Sequence, residues 1–383
     1  SFLVAAALAA QACGADGSPG VDGKDGKDGK PGEAQASDEN GALGLVTPTK
    51  GILDRELEVS IGGSGTKFAD GAKPSFGPGI EVLEVTTSTA SLITAKIRIS
   101  KDAQIGPRTL TVGDLEAKNA FTVIPAINVL AEGGKAEIEQ GGLLQFAIEN
   151  NDSRAFDPEN FQLDAGELID LGSQASGPQS AVGFVLAAPL TKAGSSQVSV
   201  SNLDASGKPR VSFLSANDAL TVKARAADPF KLGTPTDAAF ATPTETKLFK
   251  LTSPASEAAI VDYRIEVAAG GTARPLAFVF GTGGGKDDRV GQVLPGQTSL
   301  PGQFNPPPYD LRVALPIPAG AAATDHYVVL ADLSGKAGAT AKVTATRSAA
   351  SVANESGAAH GANAPQLVGS VNSSAGQVLN ANL

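Results

Sequence analysis

Short runs of alternating apolar and polar residues, separated by glycine and proline, recur along most of the sequence. In the run ELEVSI, the side chains of Leu57, Val59 and Ile61 fall on one face of an extended chain, because successive side chains of a strand point to opposite faces. The sequence holds 45 Gly and 24 Pro, which supply turns between such runs. Runs repeating every ~8–12 residues are typical of all-β sandwiches. We therefore predict an all-β fold with several β-sandwiches in series.

The first residues read as an export signal. Nine apolar residues, Phe2–Ala10, are too few to cross a bilayer, which requires about 20, and they match the apolar core of a signal peptide. They are followed by Cys13, the only cysteine of the chain. The run AQAC resembles the lipobox of bacterial lipoproteins, which implies cleavage after residue 12 and acylation of Cys13. Ala10 and Gln11 depart from that family's usual Leu and small residue.

Two alternatives therefore stay open at this terminus. Either Cys13 carries a lipid anchor, or an ordinary cleavable signal ends at Ala12 and the cysteine is incidental. The basic segment that normally precedes the apolar core is absent before Ser1, so we expect residues 1–12 to be a truncated signal peptide. A lone cysteine has no intrachain disulfide partner, which favours the anchor.

Glycine then occupies every third position from Gly14 to Gly32 in the text GADGSPGVDGKDGKDGKPG. This period resembles collagen, in which only glycine fits on the axis of the triple helix. One interpretation of residues 13–42 is a disordered or extended hydrophilic spacer. The other is a homotrimeric stalk formed through residues 14–34. Seven triplets with two prolines favour the spacer.

We predict a first sandwich domain over residues 43–125, with strands in runs such as IEVLEVTT and LITAKIRIS. The phrases FGPGIEV and DAQIGPRTLTV resemble the immunoglobulin-like IPT/TIG domains of bacterial surface proteins. That resemblance implies a spacer or a binding module with no fixed catalytic residues.

A second immunoglobulin-like sandwich is predicted over residues 126–226, from runs that include LLQFAI and SQVSVSNL. Its polar loop NDSRAFDPENF carries Asp152, Asp157 and Glu159. Carboxylate oxygens are ligands that Ca²⁺ prefers, so these three acids are candidates for a structural calcium site. The alternative, which the sequence favours, is a solvated turn.

A third sandwich is predicted over residues 227–347. Its last part, YVVLADLSGKAGATAKVTAT, resembles the final hairpin of prepeptidase C-terminal domains, which are jelly-roll-like β-sandwich modules appended to secreted enzymes and surface proteins. Residues 348–383 are rich in Ala, Ser and Gly, typical of a linker. We expect them to hold this linker and the beginning of a further module, or else a natural tail.

The sequence carries little that favours catalysis. It has two histidines, no G-x-S-x-G elbow and no H-E-x-x-H motif. The run GTGGGK at Gly281–Lys286 is one residue short of a phosphate-binding loop and is followed by Asp287, so we predict a hairpin loop. A net charge of −10 argues against nucleic acid as a partner. We predict no catalytic residues and no cofactor apart from the calcium candidate.

Together these patterns predict a surface-anchored structural or adhesive lipoprotein at the outer membrane or cell surface. Its expected partners are the membrane, reached through the lipid, and an extracellular protein or glycan. The alternative is the non-catalytic accessory region of a larger secreted hydrolase whose catalytic domain lies beyond Leu383.

Overall fold

A computed structural model describes residues 41–68, 72–132, 134–243, 245–254, 259–295, 304–317 and 323–349. The predicted signal peptide, the lipid attachment at Cys13, the collagen-like repeat and the predicted C-terminal linker from residue 350 onward lie outside these residues. Among the described residues, 41–127 with 151–153 form one compact unit, and 128–150 with those from 154 onward form another. No helix in the described part of the chain is long and apolar enough to cross a membrane.

The first unit is a sandwich of two four-stranded sheets. Its strands are β1 (Ala42–Thr47), β2 (Lys50–Ile52), β3 (Arg55–Ser64), β4 (Pro74–Ser75), β5 (Ile80–Ser88), β6 (Leu92–Ile99), β7 (Gly106–Val112) and β8 (Leu115–Ile124). One sheet has the order β1-β3-β6-β5 and the other β2-β8-β7-β4. If the eight strands are labelled A, A′, B, C, D, E, F and G in chain order, the sheets are A-B-E-D and A′-G-F-C, the two sheets of the immunoglobulin fold.

Alternation of side chains explains why these runs form this sandwich. In β6, Ile93, Ala95 and Ile97 are fully buried, while the intervening Lys96 and Arg98 are exposed. The buried face packs on the opposite sheet, where the rings of Phe76 and Phe121 meet edge-on with centroids 5.1 Å apart. The exposed face carries ion pairs, among them Lys96 Nζ to Glu56 Oε2 at 2.7 Å. A hydrogen bond from Lys96 is the main cause that lowers the pKa of Glu56.

The entering chain contributes to both sheets of this unit. Strand β1 pairs antiparallel with β3, and β2 then crosses to pair in parallel with β8. Two backbone hydrogen bonds flank the parallel pair, from Thr122 N to Thr49 O at 2.9 Å and from Leu53 N to Ile124 O at 3.1 Å.

The second unit contains two sandwiches, of which the first repeats the same arrangement with interrupted strands. Its strands are β9 (Ile127–Ala131), β10 (Ala136–Glu139), β11 (Leu143–Asn150), β12 (Phe161–Asp164), β13 (Ile169–Asp170), β14 (Gln174–Gly177), β15 (Ser180–Leu186), β16 (Gly194–Ser196), β17 (Ser199–Leu203), β18 (Pro209–Leu214) and β19 (Leu220–Lys223). One sheet has the order β13-β15-β11-β9, with β14 also on β15. The other is split into β10-β19-β16 and β12-β17-β18.

One buried serine bridges the split in that second sheet. Strand β16 pairs with β19, and β17, which follows β16, pairs with β18, which precedes β19. The two short sheets are therefore halves of one interrupted hairpin. At the interruption, Ser215 Oγ accepts a hydrogen bond from Val198 N at 2.8 Å and donates one to Ala216 O at 2.8 Å. Ser215 N also donates to Val198 O at 2.9 Å. The serine side chain thus replaces a backbone acceptor where the ladder breaks.

In the last sandwich, consecutive strands alternate between two sheets, except for one hairpin, which lies within one sheet. Its strands are β20 (Asp228–Phe230), β21 (Thr236–Phe240), β22 (Thr246–Ser253), β23 (Ala259–Val267), β24 (Pro275–Phe280), β25 (Arg289–Val293), β26 (Tyr309–Ile317), β27 (Thr324–Asp332) and β28 (Ala339–Ala349). The sheets have the orders β20-β22-β27-β24-β25 and β21-β28-β23-β26, and the hairpin within one sheet is that of β24 and β25. This alternation is of the jelly-roll type, and the predicted all-β class is confirmed.

Strands β24 and β27 of the last sandwich are buried on both faces. All six side chains of β24 are buried. Ala277 and Val279 face the core of their own sandwich, whereas Leu276 and Phe278 pack in a second cluster with Leu186 of the neighbouring sandwich. The two sandwiches of this unit therefore share an apolar interface. The division of residues 126–347 into independent domains at residue 226 stays a prediction.

We expect Ser215→Ala to destabilise the second unit, because it leaves the buried N–H of Val198 without its acceptor. The cost of such a buried orphan is about 1–3 kcal/mol. Ser195→Ala is the matched control, since Ser195 is exposed and its Oγ lies 3.4 Å from Thr221 Oγ1 on the same pair of strands. Urea denaturation of the two variants measures the difference, and equal midpoints would show that the bridge is dispensable.

Candidate functional site

The three calcium candidates occupy different local environments. Asp152 is buried, and its Oδ2 accepts a hydrogen bond from Arg55 Nε at 3.0 Å. Asp157 accepts hydrogen bonds from Glu159 N at 3.1 Å and from Asn160 Nδ2 at 3.0 Å, and the bond from Asn160 is the main cause that lowers its pKa. Glu159 is exposed. Across the described ranges, no group of three His, Cys, Asp or Glu side chains is placed to hold a metal ion.

The glycine-rich run Gly281–Lys286 is the turn between β24 and β25, so the predicted hairpin loop is confirmed. Its backbone is occupied by the chain's own groups. Gly285 N donates to Asp288 Oδ2 at 2.9 Å, and Gly284 O accepts a hydrogen bond from Leu190 N at 2.9 Å. A phosphate-binding loop instead presents its N–H groups to the ligand.

A buried histidine lies at one end of the last sandwich. His326 is 4% exposed, and its Nε2 is 3.0 Å from Thr324 Oγ1. Its Nδ1 and the hydroxyl of Ser253, which sits opposite Thr324 on the neighbouring strand, are buried without a hydrogen-bond partner in the described part of the chain. Serine and histidine therefore do not form the hydrogen bond that activates a nucleophile.

Burial sets the protonation of this histidine. Desolvation lowers the pKa of His326 below its ordinary value of 6.5, and the neighbouring Asp325 carboxylate offsets part of that effect. Asp325 itself accepts hydrogen bonds from Thr252 and Lys250, which lower its pKa. The imidazole is thus a neutral core residue rather than a general base open to substrate.

The second unit has a cleft of about 290 Å³, lined by residues that include Glu137, Glu139, Arg225 and Glu245. Each of its carboxylates has a cationic partner. Glu137 bonds Lys223, Glu245 bonds Lys247, and Glu139 Oε2 lies 3.9 Å from Arg225 Nη1. The hydrogen bonds from the two lysines lower the pKa values of Glu137 and Glu245. The cleft is therefore polar and compensated in charge.

The aromatic side chains of the described residues point inward. The sequence has no Trp, and every Phe and Tyr in the described ranges is buried or half-buried. Tyr263, for example, is fully buried in the core of the last sandwich, where desolvation raises its pKa. Sugar rings pack well on exposed aromatic faces, which combine a large apolar area with fixed geometry. The described surface offers no such platform.

The sequence did not identify the cleft. The alternation in KAEIEQ places Glu137 and Glu139 on one face of a strand, which was the available signal. Their approach to Arg225 and Glu245 depends on pairing between residues far apart in the chain.

Comparison with known proteins supports the fold of the first unit. The family model for domain III of the alpha subunit of quinohemoprotein amine dehydrogenase matches residues 43–124, the span of its β-strands. No curated protein matches the chain.

Solved structures with similarity to the chain are distant. They include the pre-peptidase C-terminal domain of a collagenase from Bacillus anthracis, at 11% identity over 32% of this chain and 95% of that chain, with a TM-score of 0.23. A second is the secreted serine protease VesC from Vibrio cholerae, at 10% identity over 70% and 57%, with a TM-score of 0.21. A third comes from carbohydrate-binding modules of the β-sandwich superfamily, at 10% identity over 80% and 98%, with a TM-score of 0.17.

We expect His326 to make the protein sensitive to mild acid. Because its pKa is lower in the folded than in the unfolded chain, its contribution is present above pH 6.5 and is lost as the pH falls below that value. His326→Gln keeps a side chain that can bond Thr324 but cannot ionise, so its free energy of unfolding should change less between pH ~6.5 and ~5. His360→Gln is the control for the other histidine. Parallel pH profiles for wild type and His326→Gln would contradict this assignment.

Proposed function

We propose that this chain is a structural lipoprotein, anchored at the outer membrane or cell surface through Cys13, that holds tandem β-sandwiches away from the bilayer. The observation that carries the proposal is the serial arrangement itself. A lone cysteine follows an apolar segment, a hydrophilic glycine-repeat spacer follows the cysteine, and immunoglobulin-type and jelly-roll sandwiches follow the spacer. Several acyl chains at ~0.8 kcal/mol per buried CH₂ give a firm anchor.

The character of the described surfaces favours a structural role over glycan adhesion. Among the described residues, the aromatic rings are buried or half-buried, and several charges on the outer faces form ion pairs across strands. On the sheet of β23 and β26, for example, Arg264 donates two hydrogen bonds to Asp310, at 2.8 and 2.9 Å. Such exposed pairs add little stability, and the charges that form them are already partnered within the chain.

Within this proposal, residues 13–42 act as a spacer. The same repeat also fits a homotrimer through residues 14–34. Light scattering of the full chain without lipid distinguishes the two, because a monomer mass excludes a stable triple-helical stalk.

The second candidate is an accessory region of a secreted hydrolase. It is favoured by the resemblance of residues 327–346 to the end of prepeptidase C-terminal modules, and by the jelly-roll type of the last sandwich. The complete reading frame tests this candidate, since a stop codon directly after residue 383 would eliminate it.

We expect Cys13→Ser to abolish membrane attachment. When the full coding sequence is expressed in a bacterium that processes lipoproteins, wild type should partition into detergent and carry acyl groups on Cys13. The variant lacks the only acceptor thiol and should partition into the aqueous phase. Mass spectrometry of the mature N-terminus measures this directly, and an unmodified Cys13 thiol in wild type would overturn the anchor.

We also expect the purified chain to give no binding above background on a glycan array, because the described residues present no exposed ring for stacking. An aromatic-platform carbohydrate-binding module on the same array is the positive control. Saturable binding of a defined glycan would make adhesion through polar contacts the better description.

A further inference from the structure

The strands by which the chain enters and leaves each immunoglobulin-type sandwich lie side by side and run in the same direction. In the first sandwich, Lys50–Ile52 of β2 pairs in parallel with Thr122–Ile124 of β8. In the second, Ala136–Glu139 of β10 pairs in parallel with Leu220–Lys223 of β19. Each sandwich is thus closed by a pair that joins the beginning of its chain to the end.

Parallel pairing determines how tension reaches these hydrogen bonds. The start of the entering strand and the end of the leaving strand lie at opposite ends of the pair. A pull between them slides one strand along the other, so the interstrand hydrogen bonds are loaded together instead of opening one after another. We propose that these two pairs are tension-bearing clamps, and that a further function of the first two sandwiches is to carry mechanical load. The load itself would act between the membrane anchor and a distal contact, and this part of the proposal rests on the proposed function.

In the first clamp, strand β2 packs directly on side chains of the core. A Cβ atom on Gly51, in the middle of β2, would lie 2.4 Å from Ile99 Cδ1 and 2.6 Å from Phe121 Cζ. Strand β2 therefore packs closely on these side chains because residue 51 has none. On the other sheet, β1 is antiparallel to β3, with Ala42 opposite Ser64, and the same pull slides β1 along β3.

The second clamp is tied by side chains as well as by backbone. Glu137 of β10 bonds Lys223 of β19 across the pair, and Gln140 N donates to Lys223 O at 2.9 Å. Just beyond β19, the Arg225 guanidinium donates to Thr246 Oγ1 at 3.0 Å and to Thr246 O at 2.7 Å. The end of this clamp is thereby held to the following sandwich of the same unit.

Single-molecule pulling in two directions tests the first clamp. The full chain, produced without export, takes one handle on Cys13, its only thiol, and a second handle at the C-terminus. Unfolding of the first sandwich then releases the chain between Lys50 and Ile124, a gain of roughly 25 nm at about 3.3–3.6 Å per residue. In a second chain, Asp114→Cys puts the second handle in the exposed turn between β7 and β8.

The turn at Asp114 lies at the start of β8, the same end of the sandwich at which β1 begins. Pulling between Cys13 and position 114 therefore opens the strand pairs one at a time. We expect the first sandwich to unfold at a several-fold lower force in this direction than through the termini, since forced unfolding follows the barrier along the pulled path. Equal forces in the two directions would overturn the clamp.

Gly51→Ala tests the same clamp through its packing. The added methyl group should push β2 off the core and lower the unfolding force through the termini. Gly62→Ala is the matched control, because a Cβ at this strand glycine meets no atom nearer than 3.6 Å. A wild-type force for Gly51→Ala would contradict the proposal, and if this variant fails to fold, the comparison of pulling directions decides. An unmodified Cys13 in cells would remove the anchor but leave these forces unchanged.

Discussion

Burial of one face of each sheet against its partner is the constraint on which the rest of this structure depends. The interior is built from Val, Ile, Leu, Ala and Phe, mostly on alternate positions of the strands, and the intervening polar residues point outward. Because a shift of one residue in register would turn every apolar side chain to the solvent, this alternation also specifies the pairing. Ile93, Ala95 and Ile97 on β6 show the pattern in its simplest form.

This arrangement explains why the described surfaces lack exposed aromatic rings as well as what the cores contain. The rings are used for packing, as with Phe76 against Phe121, and the polar faces carry ion pairs that satisfy one another. Charges are also paired in the cleft, where Glu137 contacts Lys223 and Glu139 lies near Arg225. These features support the proposed structural role over recognition of sugars by stacking.

Where a sheet departs from simple alternation, the departure has a local cause. The strands β24 and β27 are buried on both faces because a second sandwich covers the side that would otherwise face water. The interrupted hairpin of the preceding sandwich retains its hydrogen bonding because Ser215 supplies a buried hydroxyl at the break. His326 is buried in its neutral form at the end of an apolar core, so its contribution to the free energy of unfolding depends on pH.

The sequence by itself determined the all-β class, the long strands and the absence of recognisable catalytic motifs. Runs such as Leu92–Ile99 and Leu143–Asn150 are long enough for a period of two to be read directly. Strands of two or three residues, such as β2 and β4, are not predicted from the sequence, because so short a segment has no period and forms only against its partner strand. Only the tertiary structure decided that β2 and β10 lie parallel to the strands by which the chain leaves, that Arg225 reaches the cleft, and that two sandwiches share an apolar interface. Each of these depends on contacts between residues far apart in the chain, which no local pattern encodes.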